Sequence, residues 1–292
     1  MVNATPPLVS TDELVRNLQS WRIFDCRHNI LQPLLGEQQF EEGHIENATF
    51  AKLEKDLSGP KTGSNGRHPL PTKEVFLAWL GRQGLRPHDR VVCYDESSGG
   101  TAARMWWMLR WVGHNSVSVL DGGFGKWVRE GLAISRAVPS FHETNCTGGL
   151  ASQATVELAD LEKTFRQSLL VDARAPVRFR GEQEPVDPVA GHIPGARNRF
   201  NLDNVRSDGT FKTPQELKAA FEEVLAGIRP EKVVHYCGSG VSACHNLLAM
   251  AVAGLPGGKL YVGSWSEWSA EPERPRAPAN GKGSNSGDRV TP

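Results

Sequence analysis

A cysteine at the end of a predicted strand is the residue best placed to do chemistry in this sequence. β-favouring residues run into Cys237, a short loop rich in glycine and serine follows, and the apolar run 247–253 predicts a helix. Such a loop turns backbone N–H groups inward, and the first amides of a helix lack partners, so an anion at its centre is stabilised. The predicted anion is the Cys237 thiolate, which is the nucleophilic form of cysteine.

The residue types around this cysteine suit an anion-holding loop. Gly238 and Gly240 let the chain curl without Cβ clashes, and Ser239 and Ser242 are predicted to place hydroxyl donors close to the sulfur. The alternative is a buried cysteine beside an ordinary turn, because free cysteines are usually small buried hydrophobes. The surrounding pattern favours the nucleophile.

The segments around the cysteine occur twice in the same order. The matching pairs are 23–26 with 169–173, 43–48 with 191–196, 91–95 with 233–237, and 121–127 with 262–268. Each pair is displaced by about 140 to 150 positions, which indicates duplication of a whole domain rather than an array of short repeats. Strands alternate with helices in both halves, so we predict an α/β fold with a mainly parallel sheet flanked by helices in each.

The duplication predicts the domain organisation. We expect a first domain over 8–132, a linker over 133–151, a second domain over 152–270 and a disordered tail over 271–292, which is rich in proline, glycine and charge. Residues 40–48 are predicted to be a loop, and the glycine- and proline-rich stretch 55–71 a surface loop bordering a site. Asp95 stands where the second copy has Cys237, in a loop that we expect to be longer, so the first domain is predicted to be non-catalytic.

Composition excludes several kinds of partner. The 292 residues carry 33 basic and 33 acidic side chains, and this balance provides no basic field for nucleic acid or an anionic membrane. No apolar run reaches the length of a membrane span and the N-terminus lacks the order of a signal peptide, so we expect a cytoplasmic protein. The five cysteines are an odd number at irregular spacing and are predicted to be thiols, with no metal or organic cofactor.

Residues 237–243 read C-G-S-G-V-S-A and resemble the active-site loop of the rhodanese-type sulfurtransferases, most closely the C-G-S-G-V-T-A loop of the 3-mercaptopyruvate enzymes. The resemblance runs from about residue 8 to 270 and includes G-H-I-P-G at 191–195 and G-S-W-S-E-W at 263–268. It implies two tandem rhodanese-like domains with the site in the cleft between them. It also implies that the cysteine takes sulfur from a small-molecule donor, carries it as a persulfide and passes it to cyanide, a thiol or a thioredoxin-like acceptor.

The resemblance also assigns roles to individual residues. Cys237, Ser239 and His68 are the implied catalytic residues, with the acid partner of His68 open between Glu54 and Asp56. The implied substrate-binding residues are Arg178, Gly238, Gly240, Val241, Ser242 and Ala243. Arg178 suits a donor carboxylate because a guanidinium binds such a group bidentately.

The sequence departs from the family at the second substrate arginine. Val186 or Asp187 stands at its place, and Arg180 or Arg67 is a candidate substitute. Thiosulfate-specific relatives typically carry arginine and lysine directly after the cysteine, whereas this loop is neutral there and favours a monoanionic donor. We therefore predict 3-mercaptopyruvate as the donor, with thiosulfate as the alternative.

Two other function classes share features with this sequence. Phosphatases of this fold need an arginine closing a C-x-x-x-x-x-R loop around phosphate, and Ala243 stands there instead. A persulfide-relay module that does not turn over is the non-enzymatic alternative. Retention of a labelled sulfur on Cys237, without release to small thiols, would favour the relay.

Overall fold

The computed structural model describes residues 5–96, 98–151 and 153–277. The first half of the chain alternates strands and helices, in the order β1 (Leu8–Val9), α1 (Thr11–Asn17), β2 (Arg22–Asp25), α2 (Leu35–Glu42), β3 (Ala48–Phe50), α3 (Lys73–Arg82), β4 (Val91–Tyr94), α4 (Gly100–Trp111), β5 (Val117–Leu120) and α5 (Gly123–Arg129).

The second half repeats this alternation. Its elements are α6 (Leu158–Thr164), β6 (Leu169–Asp172), α7 (Pro176–Phe179), β7 (Arg197–Asn198), α8 (Pro214–Leu225), β8 (Val233–Tyr236), α9 (Ser242–Val252), β9 (Lys259–Leu260) and α10 (Ser264–Trp268). Short 3₁₀ turns at Asn201–Asn204 and Pro230–Lys232 precede α8 and β8.

Each half forms its own parallel sheet. The strand order is β1-β5-β4-β2-β3 in the first and β7-β6-β8-β9 in the second, and every pairing within them is parallel. In the first half β1 pairs with β5, and at the corresponding place in the second half a single parallel bridge joins Thr155 to Leu260. The predicted fold class, two mainly parallel sheets flanked by helices, is confirmed.

The two halves meet through the helices that follow β4 and β8. Helix α4 packs directly against α9, and residues of both belong to one continuous apolar core. Strands β4 and β8 are buried along their whole length, as expected for parallel strands covered on both faces. The loop that carries Cys237 is therefore fixed by a buried strand on one side and an interdomain helix on the other.

Two predicted loops need correction, and one helix is present that was not predicted. The predicted loop over 40–48 begins later, because α2 extends to Glu42 and buries Gly36 and Phe40 on one face. The loop at Asp95 is no longer than its counterpart, since residues 95–99 lie between β4 and α4 and residues 237–241 between β8 and α9. Helix α8, which the sequence analysis did not identify, begins with a capping box formed by Thr213 and Glu216.

The predicted disordered tail is also wrong over its first part. Residues 271–277 fold back on the second domain, where Trp268 Nε1 donates to Pro275 O at 2.8 Å and Ala277 pairs with His192. The remainder of that prediction, 278–292, lies outside the described residues. None of the helices within 5–96, 98–151 and 153–277 is long and apolar enough to cross a membrane.

Candidate active site

A cavity of about 360 Å³ opens between the two halves, at the carboxyl ends of β2, β4, β6 and β8. This is where ligands bind in open parallel sheets. The residues that line it come from both halves: His28, Ile30, Leu53, Arg67, His68, Ser98, Gly100, Thr101, Arg174, Ala175, Arg178, Phe200, Asn201, Cys237, Gly238, Ser239, Val241 and Ser242.

Cys237 lies at the base of this cavity, immediately after β8, and is 2% exposed. The Gly240 amide donates to its sulfur at 3.1 Å, and the Cys237 amide donates to Ser264 Oγ at 3.1 Å. Gly240 has φ +77°, and a Cβ there would lie 2.4 Å from Val262 O. Only glycine therefore fits at the position that aims this amide at the sulfur.

The first half holds a carboxylate at the matching place. The Asp95 side chain accepts hydrogen bonds from the amides of Gly99 at 2.9 Å, Thr101 at 2.9 Å and Ala102 at 3.1 Å. These amides belong to the start of α4, whose dipole also favours negative charge. The same strand, loop and helix arrangement thus directs backbone amides at a carboxylate in the first half and at a cysteine sulfur in the second.

The second cysteine near the loop, Cys244, is fully buried. Burial raises the pKa of the Cys244 thiol to about 12, and this thiol donates to Gly240 O at 3.2 Å. A thiol with such a pKa stays protonated at neutral pH and helps to fix the loop. This geometry makes Cys244 a packing residue of the loop.

Ser239 belongs to a hydrogen-bonded chain that crosses between the halves. His68 Nδ1 lies 2.8 Å from Ser239 Oγ, and His68 Nε2 lies 2.9 Å from Glu54 Oε1. A carboxylate only accepts, so Nε2 carries the proton and Nδ1 accepts from the Ser239 hydroxyl. The hydroxyl is therefore engaged by His68, whereas the sequence analysis predicted it as a donor to the sulfur.

The acid partner that the sequence left open is Glu54. The alternative, Asp56, instead accepts from the Lys52 amide at 2.9 Å. Burial lowers the pKa of His68 to about 4, against the opposing pull of the Glu54 carboxylate. The imidazole is consequently neutral at physiological pH and can act as a base toward Ser239.

Arg178 lines the cavity within a network of charges. Its Nη2 donates to Glu184 Oε1 at 2.6 Å and to Asp187 Oδ2 at 3.1 Å. Arg67, from the first half, forms an ion pair with the same Asp187. Of the two candidate substitutes for the missing arginine, Arg67 thus lies at the cavity, whereas Arg180 pairs with Glu182 at the surface.

Gly238 explains how Arg67 reaches the loop. Arg67 Nη2 lies 2.7 Å from the point where a Cβ on Gly238 would stand. The guanidinium therefore occupies the space of a side chain directly after Cys237. A positive charge that the loop sequence does not supply is delivered there by the first domain.

The remaining predicted site residues divide between the cavity and its support. Val241 and Ser242 line the cavity, whereas Ala243 is fully buried behind it. The sequence analysis missed Arg104, which is fully buried and donates to Gly240 O at 3.3 Å and to His68 O at 3.0 Å. Its signal was an arginine flanked by apolar residues on both sides, within a helix whose only other charged residue is Arg110 near its end. Within the described residues, no three His, Cys, Asp or Glu side chains are grouped to hold a metal ion.

Comparison with known proteins places both halves in one family. The model of the rhodanese-like domain matches residues 10–130 and 155–271. A Pseudomonas aeruginosa protein named "Probable 3-mercaptopyruvate sulfurtransferase" is 45% identical over 259 residues, covering 87% of this chain and 91% of the relative. The thiosulfate sulfurtransferase of Mus musculus is 34% identical, with 89% and 91% covered. The structure of the Leishmania major 3-mercaptopyruvate sulfurtransferase superposes with a TM-score of 0.80 at 29% identity, over 90% of this chain and 74% of that one.

Proposed function

Because this chain belongs to the rhodanese family and is a two-domain sulfurtransferase, we propose that it moves sulfur from 3-mercaptopyruvate to a thiol or cyanide through a persulfide on Cys237. The observation that carries the proposal is the hydrogen-bonded chain from Glu54 through His68 to Ser239, two residues from Cys237 in the same cavity.

The five cysteines are free thiols in the structure, which supports a reducing, cytoplasmic location.

The hydrogen-bonded chain matters because this donor requires a proton to move. The Cys237 thiolate attacks the donor sulfur, the C–S bond breaks, and its electron pair leaves as the enolate of pyruvate. The proton that began on the donor sulfur must finish on the enolate carbon. We assign this transfer to Ser239, whose hydroxyl is made more basic by the neutral His68 and can take a proton from sulfur and return it to carbon.

Thiosulfate needs no such step. Attack on its outer sulfur releases sulfite directly, and no proton changes place. A serine backed by a buried histidine and a carboxylate would have no task in that reaction. The presence of this chain of hydrogen bonds therefore favours 3-mercaptopyruvate over the alternative donor.

The charges around the cavity suit a donor with one negative charge. The guanidinium groups of Arg67, Arg174 and Arg178 each pair with a carboxylate, so much of their field is offset. Nε and Nη2 of Arg178 donate hydrogen bonds to Glu184 and Asp187. The remaining N–H groups of the guanidinium can bind the carboxylate of 3-mercaptopyruvate. We propose Arg178 and Arg67 as the anchors of that carboxylate.

The second half-reaction returns the enzyme to its starting state. The acceptor attacks the outer sulfur of the persulfide, the S–S bond breaks, and its electron pair returns to Cys237 as thiolate. Cyanide yields thiocyanate, and a thiol yields a new persulfide. The Gly240 amide, 3.1 Å from the Cys237 sulfur, stabilises the anion before and after the transfer.

Sulfur transfer to cyanide tests the proposal. Thiocyanate and pyruvate should form in equal amounts from 3-mercaptopyruvate, and Cys237→Ser should abolish both. Thiocyanate formation that survives in Cys237→Ser would refute Cys237 as the carrier. A labelled sulfur that stays on Cys237 and is released to neither cyanide nor small thiols would support the relay module instead.

A further inference from the structure

Asp187 is a buried carboxylate held between the two arginines at the donor end of the cavity. Its side chain is 1% exposed, its Oδ2 accepts from Arg178 at 3.1 Å, and its Oδ1 pairs with Arg67. Its backbone amide donates to Glu184 Oε1 at 3.0 Å, which fixes the segment. Asp187 is therefore a fixed component of this charge network.

These charges stand directly against the residue that follows the nucleophile. Arg67 Nη2, Arg178 Nη2 and Asp187 Oδ2 lie 2.7, 3.5 and 3.6 Å from the Cβ position of Gly238. A donor whose sulfur reaches Cys237 must place its anionic end within this field. The charge of Asp187 consequently acts on bound donor as well as on the two arginines.

We propose that Asp187 is a specificity-determining residue, which offsets one of the two positive charges and so selects a monoanionic donor over a dianionic one. This inference rests on the sulfur transfer proposed above. The carboxylate also joins Arg67 of the first half to Arg178 of the second, so the two guanidinium groups are held at a fixed spacing. Charge selection and positioning are separable, because an amide keeps the shape and removes the charge.

The charge argument gives the direction of the effect. Removing the negative charge of Asp187 raises the potential at the donor site, and a dianion gains about twice what a monoanion gains. The ratio of kcat/KM for thiosulfate to that for 3-mercaptopyruvate should therefore rise. We expect a rise of about tenfold, which corresponds to about 1.4 kcal/mol.

The test compares Asp187→Asn with Glu182→Gln. The control removes the same charge from the same segment, but Glu182 is a surface residue whose side chain is 44% exposed and pairs with Arg180. We expect the donor ratio to rise in Asp187→Asn, mainly through KM, and to stay unchanged in Glu182→Gln. Thermal unfolding of both variants reports whether the fold is kept, and Asp187→Ser provides a second variant with the same expected direction.

Binding of sulfate, an unreactive dianion, gives a readout that does not depend on turnover. Calorimetry should show a Kd for sulfate about 100-fold lower in Asp187→Asn than in the unmodified protein, because a dianion gains twice the free energy that produces the tenfold rise in the donor ratio. An unchanged donor ratio together with an unchanged sulfate Kd would overturn the inference, as would an equal loss for both donors. Inactivity of the unmodified protein with both donors would instead refute the proposed function, and sulfate affinity would still decide the role of Asp187.

Discussion

Replacing Ser239 by alanine should separate the two donors more sharply than any other change in the cavity. The substitution removes the hydroxyl that lies 2.8 Å from His68 Nδ1 and leaves the 3.1 Å hydrogen bond from Gly240 to the Cys237 sulfur in place. The nucleophile and its anion-stabilising amide are therefore kept. Only the group that we assign to proton transfer is lost.

The expected magnitude follows from the chemistry of each donor. A positioned general acid or base typically contributes about 10²- to 10⁴-fold to rate. With 3-mercaptopyruvate we expect kcat to fall by about 100-fold or more, since the proton on its sulfur must reach carbon. With thiosulfate, which transfers no proton, we expect kcat to stay within about threefold, a change of less than about 1 kcal/mol in barrier height.

The assay measures thiocyanate formation from each donor at saturating cyanide, with pyruvate measured in parallel. Ser64→Ala is the matched control, because Ser64 is an exposed serine that contacts Thr62 in the first domain. An equal loss for both donors would mean that Ser239 supports the loop structure rather than proton transfer. No loss with 3-mercaptopyruvate would refute the role assigned to the hydrogen-bonded chain.

Three further predictions concern the loop, its support and pH. Gly240→Ala should reduce activity with both donors by at least about tenfold, because a Cβ at φ +77° would lie 2.4 Å from Val262 O and displace the amide from the sulfur. Steady-state rates measure this effect, and an unchanged rate would contradict it. Arg104→Met should lower the free energy of unfolding by about 1–3 kcal/mol, because the buried carbonyl groups of Gly240 and His68 lose their hydrogen-bond donor. Denaturant titration measures this free energy, and a decrease below about 0.5 kcal/mol would contradict the prediction. Burial lowers the pKa of three histidines from the ordinary value of 6.5. The pKa falls to about 4 in His68, to about 3 in His235 and to about 4 in His245. Because these pKa values are lower in the folded state, the unfolded state binds protons more readily. The contribution of each histidine to the free energy of unfolding should therefore be fully present above about pH 6.5. It should fall by about 1.4 kcal/mol for each pH unit as the pH drops toward 4. Equilibrium unfolding at pH 7.5 and pH 5 measures the loss, and equal stabilities would contradict it.

The chemistry of the second half could be predicted because its signals are local. Strand, glycine-rich loop and helix follow one another around Cys237 within a few residues, and backbone geometry then places the Gly240 amide on the sulfur. The duplication could be predicted for the same reason, because each matched segment is a short motif at a strand end. The parallel character of both sheets followed from the alternation of strands and helices.

The ion pairs across the cleft could not be predicted from local pattern. Arg67 and Asp187 are 120 positions apart, and nothing near either residue indicates that they meet. The choice of Glu54 over Asp56 likewise depends on the path of the loop over 55–71, which has no regular period. Such contacts are set by how two folded domains pack.

Two errors have plain physical causes. The glycines at positions 99 and 100 suggested an extended loop after Asp95, but Gly99 adopts φ +78° just before the helix and Gly100 is its first residue. Helix α2 was missed because it contains glycine and five Glu or Gln side chains, which mask a face formed by Gly36 and Phe40.

The identity of the sulfur carrier is the central claim, and a single-turnover experiment tests it most directly. The protein is incubated with one equivalent of 3-mercaptopyruvate and digested without reductant, and the cysteine-containing peptides are fragmented in the mass spectrometer to separate Cys237 from Cys244, seven residues away. We predict the added mass of one sulfur atom on the peptide of Cys237, and its loss after cyanide is added. Sulfur found on Cys26, Cys93, Cys146 or Cys244, or pyruvate released with no sulfur retained on the chain, would contradict the account.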